Sequence, residues 1–358
     1  MRKYFTTAIL LMAFLVCRTQ AITTPRTPSP AASVSQTIGI SIVTVNYSRP
    51  SVKGREVWGK LVPYGWNKQG FGTGNEAPWR AGANENTTVS FSHDVKVEGK
   101  PVKAGTYGLF FVINNDNRTG ELVLSKDSRS WGSFFYTDKQ DVLRANIKLR
   151  DVAFTELLTY DFTDVSKTSA NLVLNWEKKQ FPVKIEFDVD NIVLANAEEE
   201  LKGPVGFNWQ GFASAANYAL QNKVNLQQGL TWIDKAIAQN KSFNTLSVKA
   251  GLLKELGKAE ESAKIMDEAI AMATENELNL YGYQLLNNGD YPKAIEMLEL
   301  NTRRFPKSAN TWDSLGEAYF TKGDKKNAAV YFKKALAMNP PANVKANSEK
   351  YLKQMGAL

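Results

Sequence analysis

Cysteine and histidine are almost absent from this chain of 358 residues, in which Cys17 is the only cysteine and His93 the only histidine. Removal of the first 21 residues would leave no cysteine, which would exclude disulfides, thiol catalysis and cysteine-ligated metals. A zinc site built on several histidines is excluded as well. Any Ser-His-Asp mechanism would have to use His93.

Dense blocks of one charge sign are also missing. The net charge is +8, but residues 22–200 carry 21 basic and 21 acidic side chains. Residues 201–358 carry 20 basic and 15 acidic side chains, and the excess is spread out. Without a Lys/Arg block, we expect no nucleic-acid binding.

The start of the chain has the pattern of a secretory signal peptide over residues 1–21. Arg2-Lys3 forms the basic start, Phe5 to Val16 is an apolar run, and Thr19-Gln20-Ala21 is a small-residue cleavage site. The apolar run is short for a transmembrane helix, so a membrane anchor is the disfavoured alternative. A lipid at Cys17 is disfavoured because Val16 stands where a small residue is wanted. We expect a periplasmic or secreted protein without a membrane span.

Residues 33–190 predict an antiparallel β-sandwich or barrel, after a proline-broken leader over residues 22–32. Short runs of β-branched and aromatic residues recur between polar turns, without long helices between them. The run Gly105 to Ile113 is apolar enough to be buried on both faces. The predicted strands include Val34 to Ile38, Ile40 to Tyr47, Thr87 to His93, Gly105 to Ile113, Leu143 to Leu149, Leu157 to Phe162, Ala170 to Trp176 and Val183 to Val189.

A loop from Leu61 to Pro78 is rich in glycine, proline and aromatic residues. A loop of this length with bulky side chains is often functional. The alternative is an Ω-type loop that covers the edge of the sheet. Both interpretations stay open at this stage.

The C-terminal part repeats with a period of 34 residues, and residues 207–358 therefore predict a tetratricopeptide-like α-helical solenoid. Small residues such as Gly282 and Gly316 recur where paired helices must approach each other. A polar capping helix is predicted from Val344 to Met355. Residues 191–206 are assigned as the linker, so the chain reads as an α+β multidomain protein. The last complete repeat carries Trp312, Leu315, Gly316, Tyr319, Ala328, Phe332, Ala335 and Pro340.

Several segments of the first domain resemble a secreted bacterial family classed as domain of unknown function 2911. They are Ser33 to Gly39, Asn46 to Arg55, Trp79 to Glu85, and Gly99 to Tyr107. The resemblance implies an exported bacterial protein and brings no activity with it. The insertion from Asn67 to Glu76 departs from the shorter loop typical of that family.

The candidate ligand-binding residues are Arg49, Arg55, Arg80, Asn84 and Glu85, which lie in or beside these segments. Guanidinium groups suit a carboxylate or phosphate ligand, whereas a structural role would pair them with loop carbonyls or with acids. Glu85 and His93 lie eight residues apart, roughly 26 Å along a strand, so they cannot pair directly. No metal and no cofactor are expected.

Two other patterns allow a functional interpretation, although a structural role is preferred for each. Asp116 lies among asparagines and could offer oxygen ligands to calcium, but the spacing lacks the later Glu of an EF-hand, so an ordinary hairpin turn is the preferred interpretation. The aromatic side chains of Tyr64, Trp66, Phe71 and Trp79 could form a platform for a sugar, or they could anchor the loop.

The function predicted from the sequence is that of an exported binding or scaffold protein rather than an enzyme. The repeats would hold a protein or peptide partner, and the head would carry a site for a small anionic ligand or a sugar. The alternative is a hydrolase or carbohydrate-active enzyme that uses a carboxylate such as Glu85. That chemistry needs a second carboxylate roughly 5–10 Å away.

Overall fold

The computed structural model describes residues 28–358. They form two compact units, one ending at Val193 and the other running from Leu194 to Leu358. The predicted signal peptide and most of the leader lie outside the described residues. Within them, no helix is long and apolar enough to cross a membrane.

The first unit consists of two open antiparallel sheets and a short two-stranded ribbon. The six-stranded sheet has the order β1-β2-β5-β8-β9-β10, the four-stranded sheet the order β11-β12-β6-β7, and the ribbon pairs β3 with β4. The strands are β1 Ala31–Ile38, β2 Ser41–Ser48, β3 Asn67–Lys68, β4 Glu76–Ala77, β5 Thr88–Phe91, β6 Val95–Val97, β7 Lys100–Val102, β8 Gly105–Ile113, β9 Thr119–Ser125, β10 Asp141–Lys148, β11 Arg150–Thr163 and β12 Ser169–Glu186.

The two larger sheets share one hydrophobic core, as in a sandwich. Val45 and Phe111 come from the six-stranded sheet, and Leu174 and Phe181 from the four-stranded sheet. Alternating side chains of each strand point into this core, which explains the period of two in the sequence. Neither sheet closes on itself, so the barrel alternative is wrong and the sandwich is confirmed.

Strand β8 is buried on both faces, as its apolar sequence predicts. Phe111 faces the sandwich core, while Phe110 lies on the outer face of the sheet with Val123. The loop from Leu61 to Pro78 covers that outer face, where Trp66 and Ala77 pack against Phe110. The loop is therefore a cover of the sheet, and it also reaches the cleft described below.

Strand β12 differs from its prediction, which assigned two strands over this stretch. The polar residues after Trp176 look like a turn in the sequence. In the structure, Glu177 adopts a left-handed φ of 54°, and the pairing of β11 with β12 shifts register around it. The extra residues lie on the partner strand, because Asp151 to Thr159 of β11 opposes only Lys179 to Asn175 of β12. The chain does not reverse after Trp176, and β12 continues for 18 residues.

Ten α-helices follow the strands in the described part of the chain, and the second unit consists of helices. The first of them begins in the predicted head domain and runs into the predicted linker, and a 3-10 helix at Pro204–Phe207 follows it. Much of the segment 191–206 is therefore helical. The helices are α1 Val189–Glu200, α2 Trp209–Asn222, α3 Leu226–Gln239, α4 Phe243–Glu255, α5 Ala259–Met272, α6 Glu275–Asn287, α7 Tyr291–Arg304, α8 Ala309–Thr321, α9 Lys325–Leu336 and α10 Ala342–Gln354.

Consecutive helices of the second unit pack in pairs through small residues. A Cβ atom on Gly282 of α6 would lie 2.6 Å from Cγ of Leu298 in α7. In the next pair, a Cβ atom on Gly316 of α8 would lie 2.9 Å from Cδ1 of Phe332 in α9. Glycine lets the larger partner pack directly against the helix backbone, which confirms the interpretation of the 34-residue period.

Candidate functional site

The segment from Trp79 to Thr88 forms a tight loop that leads into β5. Ala81 and Asn84 both adopt left-handed backbone conformations, with φ of 52° and 62°. The carbonyl of Ala81 accepts hydrogen bonds from Oγ1 of Thr87 at 3.1 Å and from the hydroxyl of Tyr160 at 3.0 Å. These bonds hold a strained backbone in place, and the strain fixes where the preceding side chain points.

Arg80 is the side chain that this loop positions. Its Nη1 donates to the carbonyl of Asn84 at 2.6 Å, and its Cζ lies 5.0 Å from the ring centroid of Phe134. The side chain is partly buried, and the loss of water lowers its pKa below the ordinary value of an arginine. Within residues 28–358, no carboxylate forms an ion pair with Arg80.

A cleft of about 590 Å³ opens beside Arg80. Among residues 28–358, its lining contains three cationic side chains, Arg55, Lys68 and Arg80, and no Asp or Glu. Amides from Asn67, Gln69 and Asn84 also line it. A cleft of this volume matches a small organic ligand, and its charge favours an anion. The apolar part of the lining includes Leu61, Val62, Pro63, Pro78, Trp79 and Trp176.

The apolar wall of the cleft is part of an aromatic cluster. The ring of Trp79 stacks on that of Trp176 with centroids 5.8 Å apart, and the ring of Trp58 meets both edge-on. Trp58 donates from Nε1 to the carboxylate of Glu177 at 3.2 Å. Trp176 is 1% exposed, and its Nε1 has no hydrogen-bond partner in the described part of the protein. This buried donor lacks an acceptor among residues 28–358.

The candidate arginines separate into two groups. Arg55 and Arg80 line the cleft together with Asn84. The guanidinium of Arg55 donates to the carbonyls of Ser51 and Val52, at 2.5 and 3.0 Å. Arg49 does not line the cleft, because its guanidinium donates to the carbonyl of Leu158 at 2.9 Å and to Oγ1 of Thr159 at 2.6 Å. Arg49 therefore ties β11 to the end of β2.

Glu85 lies at a different hollow of about 530 Å³, whose lining includes Tyr47 and Asn86. Glu85 is the one carboxylate that the described residues contribute to the lining of that hollow. Glycoside hydrolysis ordinarily uses two carboxylates, and this arrangement offers one. The position of Glu85 therefore gives no support to the hydrolase alternative.

The other candidate groups have structural partners. Asp116 accepts from the backbone N–H groups of Arg118 and Thr119, both at 2.9 Å, and these bonds lower the pKa of Asp116. This is a hairpin turn. His93 bonds to Oγ of Ser92 through Nδ1. Among residues 28–358, no group of three or more His, Cys, Asp or Glu side chains could hold a metal ion.

The aromatic residues of the long loop lie in different environments, so the structure does not assemble them into one sugar platform. Trp66 packs on the outer face of the sheet, under the guanidinium of Arg144 at 4.6 Å. Tyr64 and Trp79 pack against the sandwich core. The ring of Phe71 is 66% exposed.

Two residues of the site could not be found from the sequence. Trp176 comes from β12, nearly one hundred residues after Arg80, and nothing in its local pattern marks it. Gly132 lies against the guanidinium of Arg80, and a Cβ atom there would meet that group. Its φ of 66° is left-handed. In the sequence, this position shows only a glycine in a loop.

The repeat unit contains a second polar cluster, around Asp313 and Glu317 of α8. Ser348 and Asn347 of α10 donate to the carboxylate of Asp313, at 2.5 and 2.8 Å. Asp313 is 4% exposed, and burial raises its pKa. Glu317 accepts from the hydroxyls of Tyr283 and Tyr351 at 3.0 and 3.1 Å. Burial next to this carboxylate raises the pKa of Tyr351 to about 12.

One comparison with known proteins matches a short stretch of the chain. A stretch of 59 residues is 39% identical to Superkiller complex protein 3 of Mus musculus and of Homo sapiens. That match covers 16% of this chain and 4% of the length of those relatives.

Two of the solved structures that match do so over less than half of the chain. One is YrrB, described as a TPR protein with an unusual peptide-binding site. It is 16% identical over 45% of this chain and 84% of its own, with a TM-score of 0.28. Another is pilF of Pseudomonas aeruginosa, 18% identical over 43% of this chain and 71% of its own, with a TM-score of 0.28.

Two families match the sequence itself. Residues 309–341 match the tetratricopeptide repeat, and residues 29–185 match the family described as protein of unknown function DUF2911. The first range covers α8 and α9, and the second covers both sheets of the sandwich. Residues 29–185 are therefore a DUF2911 domain, and the chain continues into tetratricopeptide repeats.

Proposed function

We propose that this chain is a non-enzymatic binding protein in which the DUF2911 domain holds a small anionic ligand and the repeats hold a protein or peptide partner. Tetratricopeptide repeats support a role as a protein interaction scaffold. The ligand of the first domain would bind in the cleft beside Arg80. The protein would thereby join a ligand-binding head to a partner-binding module.

The observation that carries the ligand-binding proposal is the charge of the cleft. Three cations line it without any carboxylate, and Arg80 is partly buried without an ion-pair partner among the described residues. Burial of an unpaired charge is costly, and proteins ordinarily offset that cost with a counter-charge. An anionic ligand would supply the missing charge.

Calorimetric titration of the full chain with acetate and with inorganic phosphate tests this proposal. We expect at least one of the anions to bind, and Arg80→Gln to weaken that binding tenfold or more. Arg150→Gln is the matched control, since Arg150 is exposed and lies outside the cleft. Equal binding by Arg80→Gln and the unchanged protein would contradict the proposal.

The partner-binding role rests on the repeat unit alone. Pull-down from cell-envelope extracts can compare the full chain with a chain that ends at Val193. We expect the shortened chain to lose its partner, while its circular dichroism still shows a folded β-sandwich. Retention of every partner by the shortened chain would contradict this part of the proposal.

Export is proposed on the sequence pattern of residues 1–21. Mass spectrometry of the protein purified from its native cells should show a chain that begins at Ile22. A chain that retains Met1 and fractionates with the cytoplasm would contradict export.

A further inference from the structure

We infer that the ligand of the Arg80 cleft is a monocarboxylate with a flat, apolar body, an inference that rests on the proposed function and names the ligand class for the same site. Three features carry it: the number of partly buried charges, the free hydrogen-bonding edge of Arg80, and the apolar part of the cleft lining.

The number of buried charges favours a single negative charge on the ligand. Arg80 is only partly exposed, whereas Arg55 is an exposed side chain. Arg55 also directs its guanidinium to the carbonyls of Ser51 and Val52. Lys68 is exposed as well, so water screens both of these charges. One partly desolvated cation is best matched by one anion, and the second charge of a phosphate dianion would have no comparable partner.

The free edge of Arg80 favours a carboxylate as that anion. The guanidinium uses Nη1 for the carbonyl of Asn84, and its Nε and Nη2 make no hydrogen bond to any of residues 28–358. These two N–H groups are coplanar and parallel, which is the arrangement that binds both oxygens of a carboxylate. Phe134 and Gly132 lie against the guanidinium and restrict its movement. The binding edge is therefore positioned before any ligand arrives.

The apolar wall of the cleft favours a flat, apolar body attached to the carboxylate. Leu61, Pro63, Pro78 and Trp79 line the cleft, and Leu61 remains 41% exposed. Indole and proline rings offer flat surfaces, and an apolar face that stays open to water gains free energy when a ligand covers it. A small ion such as acetate would leave this wall uncovered.

The test is a calorimetric titration of the full chain with benzoate, acetate, inorganic phosphate and benzamide. We expect benzoate to bind roughly tenfold more tightly than acetate, because its ring covers the wall. Phosphate should bind more weakly than benzoate. Benzamide has the same ring without the charge, and it should not bind measurably.

Two variants separate the charge from the wall. Arg80→Gln should abolish the binding of both carboxylates. Leu61→Ser should lower the affinity for benzoate several-fold and leave the affinity for acetate unchanged, and it should fold because Leu61 is partly exposed. Arg150→Gln should change neither affinity.

The outcomes distinguish an error in the ligand class from a failure of the proposed anion binding on which it rests. If none of the anions binds, both are overturned. If phosphate binds as tightly as benzoate, or acetate as tightly as benzoate, the cleft is an anion site but the ligand class is wrong. An unchanged affinity for benzoate in Leu61→Ser would also overturn the ligand class.

Discussion

Gly132 and the guanidinium of Arg80 are in direct contact. A Cβ atom placed on Gly132 would lie 2.1 Å from Cζ of Arg80 and 2.4 Å from its Nε. Gly132 also has a left-handed φ of 66°. A residue without a side chain is therefore required here for two separate reasons, one in its own backbone and one in the position of Arg80.

The substitution Gly132→Ala should cost stability and displace Arg80. Gly99→Ala is the matched control, because Gly99 has a similar φ of 74° and no atom within 4 Å of its Cβ position. We expect Gly99→Ala to lower the free energy of unfolding by about 1 kcal/mol, from backbone strain alone. Gly132→Ala should cost more and should weaken anion binding tenfold or more, as measured by denaturant titration and calorimetry.

The excess cost of Gly132→Ala should disappear when Arg80 is also shortened. In the double variant with Arg80→Ala, the new methyl group meets no guanidinium, so the stability cost should fall to that of Gly99→Ala. Additive costs in this double-mutant cycle would mean that the contact is not the cause.

Arg49→Gln should destabilise the first domain without changing its affinity for anions. Arg49 bonds to the carbonyl of Leu158 and the hydroxyl of Thr159, and it lies outside the cleft. The loss of these bonds leaves buried acceptors unpaired and should cost about 1–3 kcal/mol, as measured by chemical denaturation. A fall in anion affinity as large as that of Arg80→Gln would place Arg49 in the binding site instead.

Gly316→Ala should destabilise the repeats although alanine is the better helix former. The propensity gain is about 1 kcal/mol, but the methyl group would lie 2.9 Å from the ring of Phe332, which is fully buried. Forcing the ring aside should cost about 1–3 kcal/mol, so we expect a net loss in the helical unfolding transition. In a Phe332→Ala background the same substitution should be neutral or stabilising. A loss of equal size there would rule out the steric explanation.

Asp313 should make the repeat unit less stable as the pH rises. Burial raises the pKa of Asp313 in the folded state above its usual 3.8, so the folded state holds its proton more tightly than the unfolded state does. The stabilisation is fully present below pH 3.8 and is lost as the pH rises through the raised pKa. Over that pH window, we expect the unfolding free energy of the unchanged protein to fall relative to that of Asp313→Asn.

Asp324 provides the contrast for this measurement. It caps α9 by accepting from the backbone N–H of Asn327 at 3.1 Å, and that bond lowers its pKa. Its contribution to stability should therefore be lost as the pH falls, with the opposite sign to that of Asp313. If Asp313→Asn and Asp324→Asn shift the pH profile in the same direction, burial is not the dominant influence on Asp313.

The helical repeats and the doubly buried strand β8 could be predicted from the sequence, because the patterns that indicate them are local. The 34-residue period places Gly282 and Gly316 at equivalent positions, and each of them meets a large residue in the next helix. The apolar run of β8 predicts burial on both faces, and residues Tyr107 to Ile113 are buried. The prediction of two strands over β12 failed because the polar residues after Trp176 look like a turn locally, while their extended conformation depends on pairing with β11.

The sequence by itself determined two things about this protein: the order of a β domain followed by helical repeats, and the segments that contain Arg55, Arg80 and Asn84. Side-chain periods of 2 and 3.6 residues, and glycines at a fixed repeat, are properties of neighbours along the chain, so they can be read without coordinates. The tertiary structure alone decided that these three residues share a cleft with Trp176, while Arg49 and Glu85 point elsewhere. The physical reason is that contacts between strands far apart in sequence depend on sheet packing and register, which no local pattern encodes.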